Sequence, residues 1–193
     1  MLLAIVHTKG GVGKSTSALY LATAAQRRGL TVHLLDTDPQ GTSLAWAADA
    51  TESGEPLPFP VTYAEARDLA HPPHADLVII DTPPGHAKVI DAAIDAADLI
   101  IVPTQPSPAD IKRAWPTLEV TAHRPTAILL TRAVLNRRLL ADVRAELEDE
   151  GVAVLATPIL DREHVKQAWG SAPRDLDGYD DVLTEILEAT QEA

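Results

Sequence analysis

Residues 9–16 read Lys-Gly-Gly-Val-Gly-Lys-Ser-Thr, and this stretch is the strongest indication of the fold of the chain. An apolar run at 2–6 precedes it and a helix-like stretch at 15–28 follows, which predicts a strand, a glycine loop and a helix N-terminus in succession. The amides of such a loop point inward and the helix dipole favours an anion, so the segment indicates a phosphate cradle. In a P-loop, Lys14 would reach the β- and γ-phosphates and the Ser15 hydroxyl would bind Mg²⁺.

The loop departs from the common P-loop pattern at its first position. That pattern has glycine six residues before the lysine, where this chain has Thr8. Beside Thr8 stands Lys9, a second lysine at the entrance of the loop. An ordinary glycine turn is the alternative interpretation of this segment taken alone.

Two further motifs accompany the loop. Residues 36–41 read Asp-Thr-Asp-Pro-Gln-Gly, and residues 77–85 read Leu-Val-Ile-Ile-Asp-Thr-Pro-Pro-Gly. With the segment KGGVGKST, they resemble the deviant Walker motif, the DxDPQG motif and the Walker B strand with its switch loop in the ParA/MinD family of ATPases. Their shared order and spacing argue against a chance match. Taken alone, Asp38 would instead be read as a helix-capping or turn aspartate.

Length and composition limit the possible classes of protein. A chain of 193 residues has the length of one domain, so we expect a single P-loop ATPase domain over 1–193. The absence of cysteine excludes disulfides and iron–sulfur ligation and fits a reducing cytosol. No apolar run approaches the length of a membrane span, and the short N-terminal apolar stretch is not a signal peptide. Among its relatives, the chain resembles the short partition proteins without an N-terminal helix-turn-helix domain.

Apolar β-branched runs alternate with stretches of helical period. The predicted strands are 2–7, 31–36, 76–81, 98–102, 126–131 and 153–157. The predicted helices are 15–28, 41–48, 63–70, 87–97, 108–122, 136–150 and 179–193, with a surface loop at 49–60 and Pro116 expected to kink one helix or delay its start. The pattern favours a doubly wound, mostly parallel α/β sheet with helices on both faces. Ligands of such sheets bind beyond the carboxyl ends of the strands, where all three motifs fall.

The resemblance implies ATP and Mg²⁺ as cofactors and assigns roles to individual residues. The phosphate-binding residues are Gly10, Gly11, Val12, Gly13, Lys14, Ser15 and Thr16. Ser15 would bind Mg²⁺ directly and Asp81 through a water, while Asp38 would orient or deprotonate the attacking water. Asp36 would support the Mg²⁺-bound waters. An equally acceptable interpretation of Asp36 is a buried strand-end carboxylate satisfied by backbone amides.

Lys9 distinguishes this family from other P-loop proteins. The resemblance implies that this lysine crosses a dimer interface to the phosphates of the partner subunit, so that two nucleotides are held between two chains. Lys9, Lys14 and Asp38 are therefore the predicted catalytic residues. Dimerisation and ATP occupancy would then form one equilibrium, with the loop at 82–86 sensing the γ-phosphate.

The sequence contains weaker signals for contacts to the nucleotide base and to DNA than for contacts to phosphate. Thr131, Arg132 and Pro158 follow strands near the place where the family holds adenine, and no Asn-Lys-x-Asp guanine motif is present. Arg137, Arg138 and Arg162 resemble arginines that bind DNA without sequence preference in related ATP dimers. The net charge of −12 opposes DNA binding through bulk charge. However, residues 111–174 hold ten bases against eight acids and permit a local basic face.

The leading hypothesis is a dimerising partition ATPase that segregates or positions plasmid or chromosomal DNA, or another cargo, through nucleotide-switched DNA binding. Its expected partner is a centromere-binding, ParB-like protein, and its expected place is the cytoplasm, on the nucleoid when ATP is bound. Two alternatives stay open: an ATP-dependent metabolic ligase or synthetase of the same fold, and an ATPase that positions protein cargo without DNA. The acidic C-terminal segment argues against a membrane-targeted variant.

Overall fold

The computed structural model describes residues 1–134 and 137–191, and its centre is a parallel sheet. Its strands are β1 (Leu2–Ile5), β2 (Val32–Asp36), β3 (Val61–Tyr63), β4 (Leu77–Asp81), β5 (Leu99–Thr104), β6 (Thr126–Leu130) and β7 (Ala153–Val154). The strand order is β3-β2-β4-β1-β5-β6-β7, and every pairing among the described residues is parallel. The predicted doubly wound sheet is therefore confirmed.

Helices cover both faces of this sheet. They are α1 (Lys14–Arg27), α2 (Thr42–Glu52), α3 (Ala87–Ala96), α4 (Pro108–Thr121), α5 (Arg137–Asp149), α6 (Glu163–Gln167) and α7 (Tyr179–Gln191). Successive residues of a strand point to opposite faces, so Leu3 and Ile5 join the core under α1 and α7, while Leu2 and Ala4 join the core under α3, α4 and α5. This two-sided burial explains the continuous apolar runs in the sequence.

The structure differs from the sequence prediction around residues 49–70. Helix α2 continues to Glu52 in the predicted loop, and the predicted helix at 63–70 is a 3₁₀ helix at Ala66–Ala70. Strand β3, which the sequence analysis missed, is a three-residue edge strand whose Thr62 and Tyr63 side chains are exposed. Because one side of an edge strand faces solvent, β3 lacks the continuous hydrophobicity that marked the central strands.

Two other local expectations need correction. Pro116 does not delay the start of α4, which begins at Pro108 behind a Ser107 cap and runs through to Thr121, while the expected kink stays a prediction. Pro116 lies on the exposed side of the helix, where water can satisfy the carbonyl that loses its amide partner. The short helix α6 was not predicted, and the predicted helix start at Asn136 lies outside the described residues. Across the described ranges, no helix is both long and apolar enough to cross a membrane.

Candidate nucleotide site

The three motifs meet at the carboxyl edge of the sheet, in one cleft. They follow β1, β2 and β4, and Asp36 and Asp81 are register partners on neighbouring strands. The cleft has a volume of about 440 Å³. Its lining comprises Gly10, Gly11, Gly13, Lys14, Ser15, Thr16, Asp38, Thr42, Thr82, Pro84, Thr131, Arg132, Ile159, Leu160, Asp161, Arg162, Val165, Lys166 and Tyr179. A cavity of this size accommodates a nucleotide.

Glycines give the P-loop its shape at two positions. Gly11 and Gly13 have φ of +76° and +96°, a left-handed conformation that strains any other residue type. Gly13 caps α1, so the N-terminal amides of this helix face the cleft. The hydroxyl of Thr131 donates to the main-chain oxygen of Val12 at 2.9 Å and anchors the loop to the end of β6.

Lys14 is a buried cation in the floor of the loop. Its side chain donates to the main-chain oxygen of Lys9 at 3.1 Å, and the residue is only 7% exposed. Burial lowers the pKa of Lys14, while the charges of Asp81 and Asp38 act in the opposite direction. A desolvated ammonium group with a single neutral acceptor is suited to receive an anion.

Asp81 is an acid buried below the loop. The Ser43 hydroxyl donates to its Oδ2 at 2.8 Å, whereas Oδ1 is buried and has no hydrogen-bond partner among the described residues. Burial raises the pKa of Asp81 to about 7, although the nearby Ser15 and Ser43 hydroxyls favour the charged form. An unpartnered carboxylate oxygen beside a P-loop serine fits Mg²⁺ with its hydration shell. The described residues contain no group of three or more acids or histidines that would hold a metal unaided, so the phosphates and waters would complete its coordination.

The two aspartates after β2 have different surroundings. Asp36 is fully buried, and its two oxygens accept the amides of Asp38 and Leu44, each at 3.0 Å. These contacts hold the start of α2, as the second interpretation of this residue described, and the Mg²⁺ role of Asp36 stays a prediction. Asp38 lines the cleft, and its Oδ1 accepts the Gln40 amide at 2.9 Å. Its carboxylate is thus oriented within the phosphate end of the cleft.

The Lys9 side chain does not line this cleft. Its ammonium group contacts Asp110 Oδ1 at 2.5 Å, in a separate groove beside α4. The Ser107 hydroxyl donates to the other oxygen of Asp110 at 2.7 Å. Together the Lys9 and Ser107 contacts, with Lys9 the larger influence, hold the pKa of Asp110 below its usual value. The two lysines of one loop therefore face different surroundings.

His7 is a site residue that the sequence analysis missed. It is fully buried, its Nδ1 accepts the Lys9 amide at 2.9 Å, and its Nε2 has no partner among the described residues. Burial and the charges of Lys14 and Lys9 lower its pKa to about 4. The imidazole is therefore neutral at neutral pH and fixes the backbone on which Lys9 stands. Only its position directly before the loop could have signalled this role.

Replacing His7 by asparagine is expected to make the fold less sensitive to acid. The pKa of His7 is about 4 in the native state against 6.5 for an unperturbed histidine, so the unfolded chain takes up the proton first as the pH falls. Stability is then lost between these two values, by about 2 kcal/mol from pH 7 to pH 5. Asparagine can accept the Lys9 amide without titrating. Urea unfolding of both proteins at the two pH values measures the difference, and equal losses would contradict the assignment.

The cleft is also lined by residues that no motif marked. Thr131 and Arg132 line it as predicted positions, whereas Pro158 does not and the adjacent Ile159 does. The missed lining residues come from the segment after β7 and from α7: Ile159, Leu160, Asp161, Val165, Lys166 and Tyr179. The tertiary fold brings these residues into the same cleft as the P-loop, so no local spacing could reveal them.

The three predicted DNA-binding arginines are not equivalent. Arg138 stands on α5 with 92% of its side chain exposed and its Nε 3.9 Å from Asp142. Arg137 begins the same helix, but its side chain lies outside the described part of the structure. Arg162 lines the nucleotide cleft. Arg162 is exposed as well, but it differs from Arg138 in lining the nucleotide cleft.

Comparison with known proteins assigns the family. Residues 3–172 match the CobQ/CobB/MinD/ParA nucleotide binding domain, and the chain belongs to this family. The Maintenance of carboxysome distribution protein A of Halothiobacillus neapolitanus is 30% identical over 180 residues, covering 86% of this chain and 82% of the relative. The chromosome-partitioning ATPase Soj of Thermus thermophilus is 31% identical over 168 residues, covering 71% and 65%. The resemblance inferred from the three motifs is thereby confirmed.

The solved structures establish the same fold. Cobyrinic acid a,c-diamide synthase from Mycobacterium smegmatis, with bound ADP and magnesium, has a TM-score of 0.74 to this chain at 20% identity. The match covers 98% of this chain and 95% of the synthase. At this identity the likeness concerns the fold alone. It confirms the P-loop architecture without distinguishing a synthetase from a positioning ATPase.

Proposed function

We propose that this chain is an ATPase that dimerises around ATP and Mg²⁺ and positions a cargo. The observation that carries the proposal is the direction of Lys9. Its ammonium group lies outside the cleft served by Lys14, at 31% side-chain exposure, and pairs with Asp110. A P-loop lysine that does not serve its own cleft is available to the phosphates of a second chain.

Gly10 supports the close approach of another molecule to the loop. It is exposed, and a Cβ added there would meet only Pro84 Cγ at 3.9 Å, an ordinary contact distance. Unlike Gly11 and Gly13, it does not have positive φ. The isolated chain therefore does not require glycine at this position. A partner loop facing Gly10 would explain it, because a side chain would then keep the two loops apart.

Lys9→Ala is expected to bind ATP with unchanged affinity but to stay monomeric and inactive. Lys14 still occupies the cleft of the variant, whereas the charge that would reach across to the partner is lost. Light scattering with a non-hydrolysable ATP analogue and Mg²⁺ measures the dimer, and phosphate release measures hydrolysis. We expect the dimer signal to disappear and hydrolysis to fall about 100-fold or more.

Lys112→Ala is the matched control, since Lys112 lines the same groove as Lys9 but lies outside the P-loop. It should retain the dimer, which separates a specific role of Lys9 from a general loss of positive charge. Gly10→Val should resemble Lys9→Ala if two loops face each other. An ATP-dependent dimer that persists in Lys9→Ala would remove the proposed role in trans.

We further propose that the ATP dimer binds DNA weakly and without sequence preference, and so acts on the nucleoid with a ParB-like partner. Support comes from the relatives named for chromosome partitioning and from the exposed Arg138 at the start of α5. A dimer would double such phosphate contacts along one duplex, which a single acidic chain cannot provide. The relative named for maintenance of carboxysome distribution supports a protein cargo as the alternative to a DNA cargo.

A co-sedimentation assay with long duplex DNA tests this part of the proposal. Binding is expected only with ATP and Mg²⁺, to weaken steeply with salt, and to be lost in Arg138→Glu while the dimer remains. If wild-type protein with ATP stays in solution at low salt, DNA is not the surface on which it moves. The partner would then be a protein.

A further inference from the structure

The backbone beyond β6 and β7 contributes one wall of the cleft. Ala133 pairs with Leu160 in a parallel bridge, and the hydrogen bonds from Ala133 N to Ile159 O and from Asp161 N to Ala133 O are both 2.9 Å. This pairing extends the sheet by one step past its regular strands. Arg132 directly precedes Ala133, Arg162 directly follows Asp161, and both arginines line the cleft.

Arg132 is held against the P-loop. It is a non-glycine residue with φ of +51°, and its guanidinium donates to Gly11 O at 3.4 Å and lies 3.9 Å from Asp161. Strain of this kind persists only where the surroundings determine the backbone, as at a ligand site. Arg132 therefore lies between the P-loop and Asp161, the residue directly before Arg162.

The charges of this wall leave one arginine without a partner. The side chains lining the cleft include four cations, namely Lys14, Arg132, Arg162 and Lys166, against the two carboxylates of Asp38 and Asp161, although the chain carries a net charge of −12. Lys166 lies 3.2 Å from Asp161 and 3.6 Å from Glu163. Within the described ranges, Arg162 has no hydrogen bond or ion pair. An unpaired guanidinium in the wall of a binding cleft is available to the ligand.

The surroundings of Arg162 suit a flat aromatic ring. Ile159 and Tyr179 are buried, Val165 is partly buried, and all three line the same cleft as Arg162. A guanidinium group is planar and weakly hydrated, so it stacks on aromatic faces better than an ammonium group does. Apolar walls with an unpaired planar cation match a purine base.

We propose that Arg162 is a nucleotide-binding residue that stacks on the base of the bound nucleotide, rather than a DNA-binding residue. The inference rests on the proposed function, because it requires the cleft to hold ATP or ADP. It changes the role that sequence resemblance implied for Arg162 and leaves the DNA contacts to α5. It also supplies a contact to the base, which the sequence motifs lacked.

Calorimetry on Arg162→Ala with ADP and with inorganic tripolyphosphate tests the inference. Tripolyphosphate has the charges of the nucleotide tail but no base. We expect the affinity for ADP to fall about tenfold and that for tripolyphosphate to stay the same. Arg162→Lys should resemble Arg162→Ala, since lysine keeps the charge but loses the planar group. An equal loss of both ligands, or full ADP affinity in Arg162→Lys, would overturn the stacking role.

Two further variants separate this inference from the proposed function. Arg67→Ala removes an arginine outside the cleft whose side chain is 79% exposed, and it should bind ADP as the wild type does. Lys14→Ala should lose both ligands. If Lys14→Ala loses ADP while Arg162→Ala keeps it, only the role of Arg162 fails. If Lys14→Ala binds ADP normally, the nucleotide site itself has been misplaced.

Discussion

Lys14→Ala is expected to lose about 100-fold or more of its affinity for ATP and ADP. The P-loop amides supply dipoles, but Lys14 supplies the only buried ammonium group among the described residues, and it already lies at the floor of the cleft. Low local polarity strengthens its attraction to phosphate, so its loss is not replaced by water. Isothermal calorimetry with ADP and Mg²⁺ measures this change.

A second prediction for Lys14→Ala concerns the stability of the fold without nucleotide. Because burial lowers the pKa of Lys14, the charged side chain is held in the apo fold at a cost. The apo variant should therefore unfold at the same or a higher urea concentration than the wild type, so lost binding cannot be attributed to a lost fold. Lys88→Ala, which removes an exposed lysine from α3, is the control and should keep full affinity. Unchanged nucleotide affinity in Lys14→Ala would refute the P-loop assignment.

Asp38→Ala is expected to bind ATP and to dimerise. We expect its rate of ATP hydrolysis to fall by at least about 100-fold. The phosphate contacts of the loop and Lys14 stay in place, while the carboxylate oriented by the Gln40 amide is removed from the cleft. In the proposed function hydrolysis releases the dimer, so the variant should persist as a dimer with ATP itself. Size-exclusion chromatography after incubation with ATP, combined with phosphate release, checks both parts.

Asp91→Ala removes an exposed carboxylate from α3 and should turn over ATP normally. Asp38→Asn adds a sharper comparison, because the amide keeps the shape but cannot take a proton. If Asp38→Ala hydrolyses ATP at the wild-type rate, the role moves to another carboxylate, with Asp36 the next candidate. The buried position of Asp36 and its two amide contacts make that outcome less compatible with the structure.

A strand or helix could be predicted from the sequence when one residue pattern runs through its whole length. Each of the central strands is buried on both faces and therefore reads as a continuous apolar run. Strand β3 lies at the sheet edge with two of its three side chains exposed, so hydrophobicity did not mark it. The extent of α2 was also missed, because the acidic residues near its end face solvent and read as a loop.

The amino-acid sequence alone was enough to predict the strand, loop and helix of the P-loop and the two lysines in the loop. It was also enough to predict that the aspartate motifs follow strands. These features are local, since glycine φ angles, strand ends and helix starts depend on residues close together in the chain. The directions of the side chains became known only from the tertiary structure. Lys9 turns to Asp110, which lies 101 residues away in sequence, and Arg162 lines the nucleotide cleft. These directions depend on packing between segments that are distant in the sequence. A short stretch of sequence therefore cannot predict them.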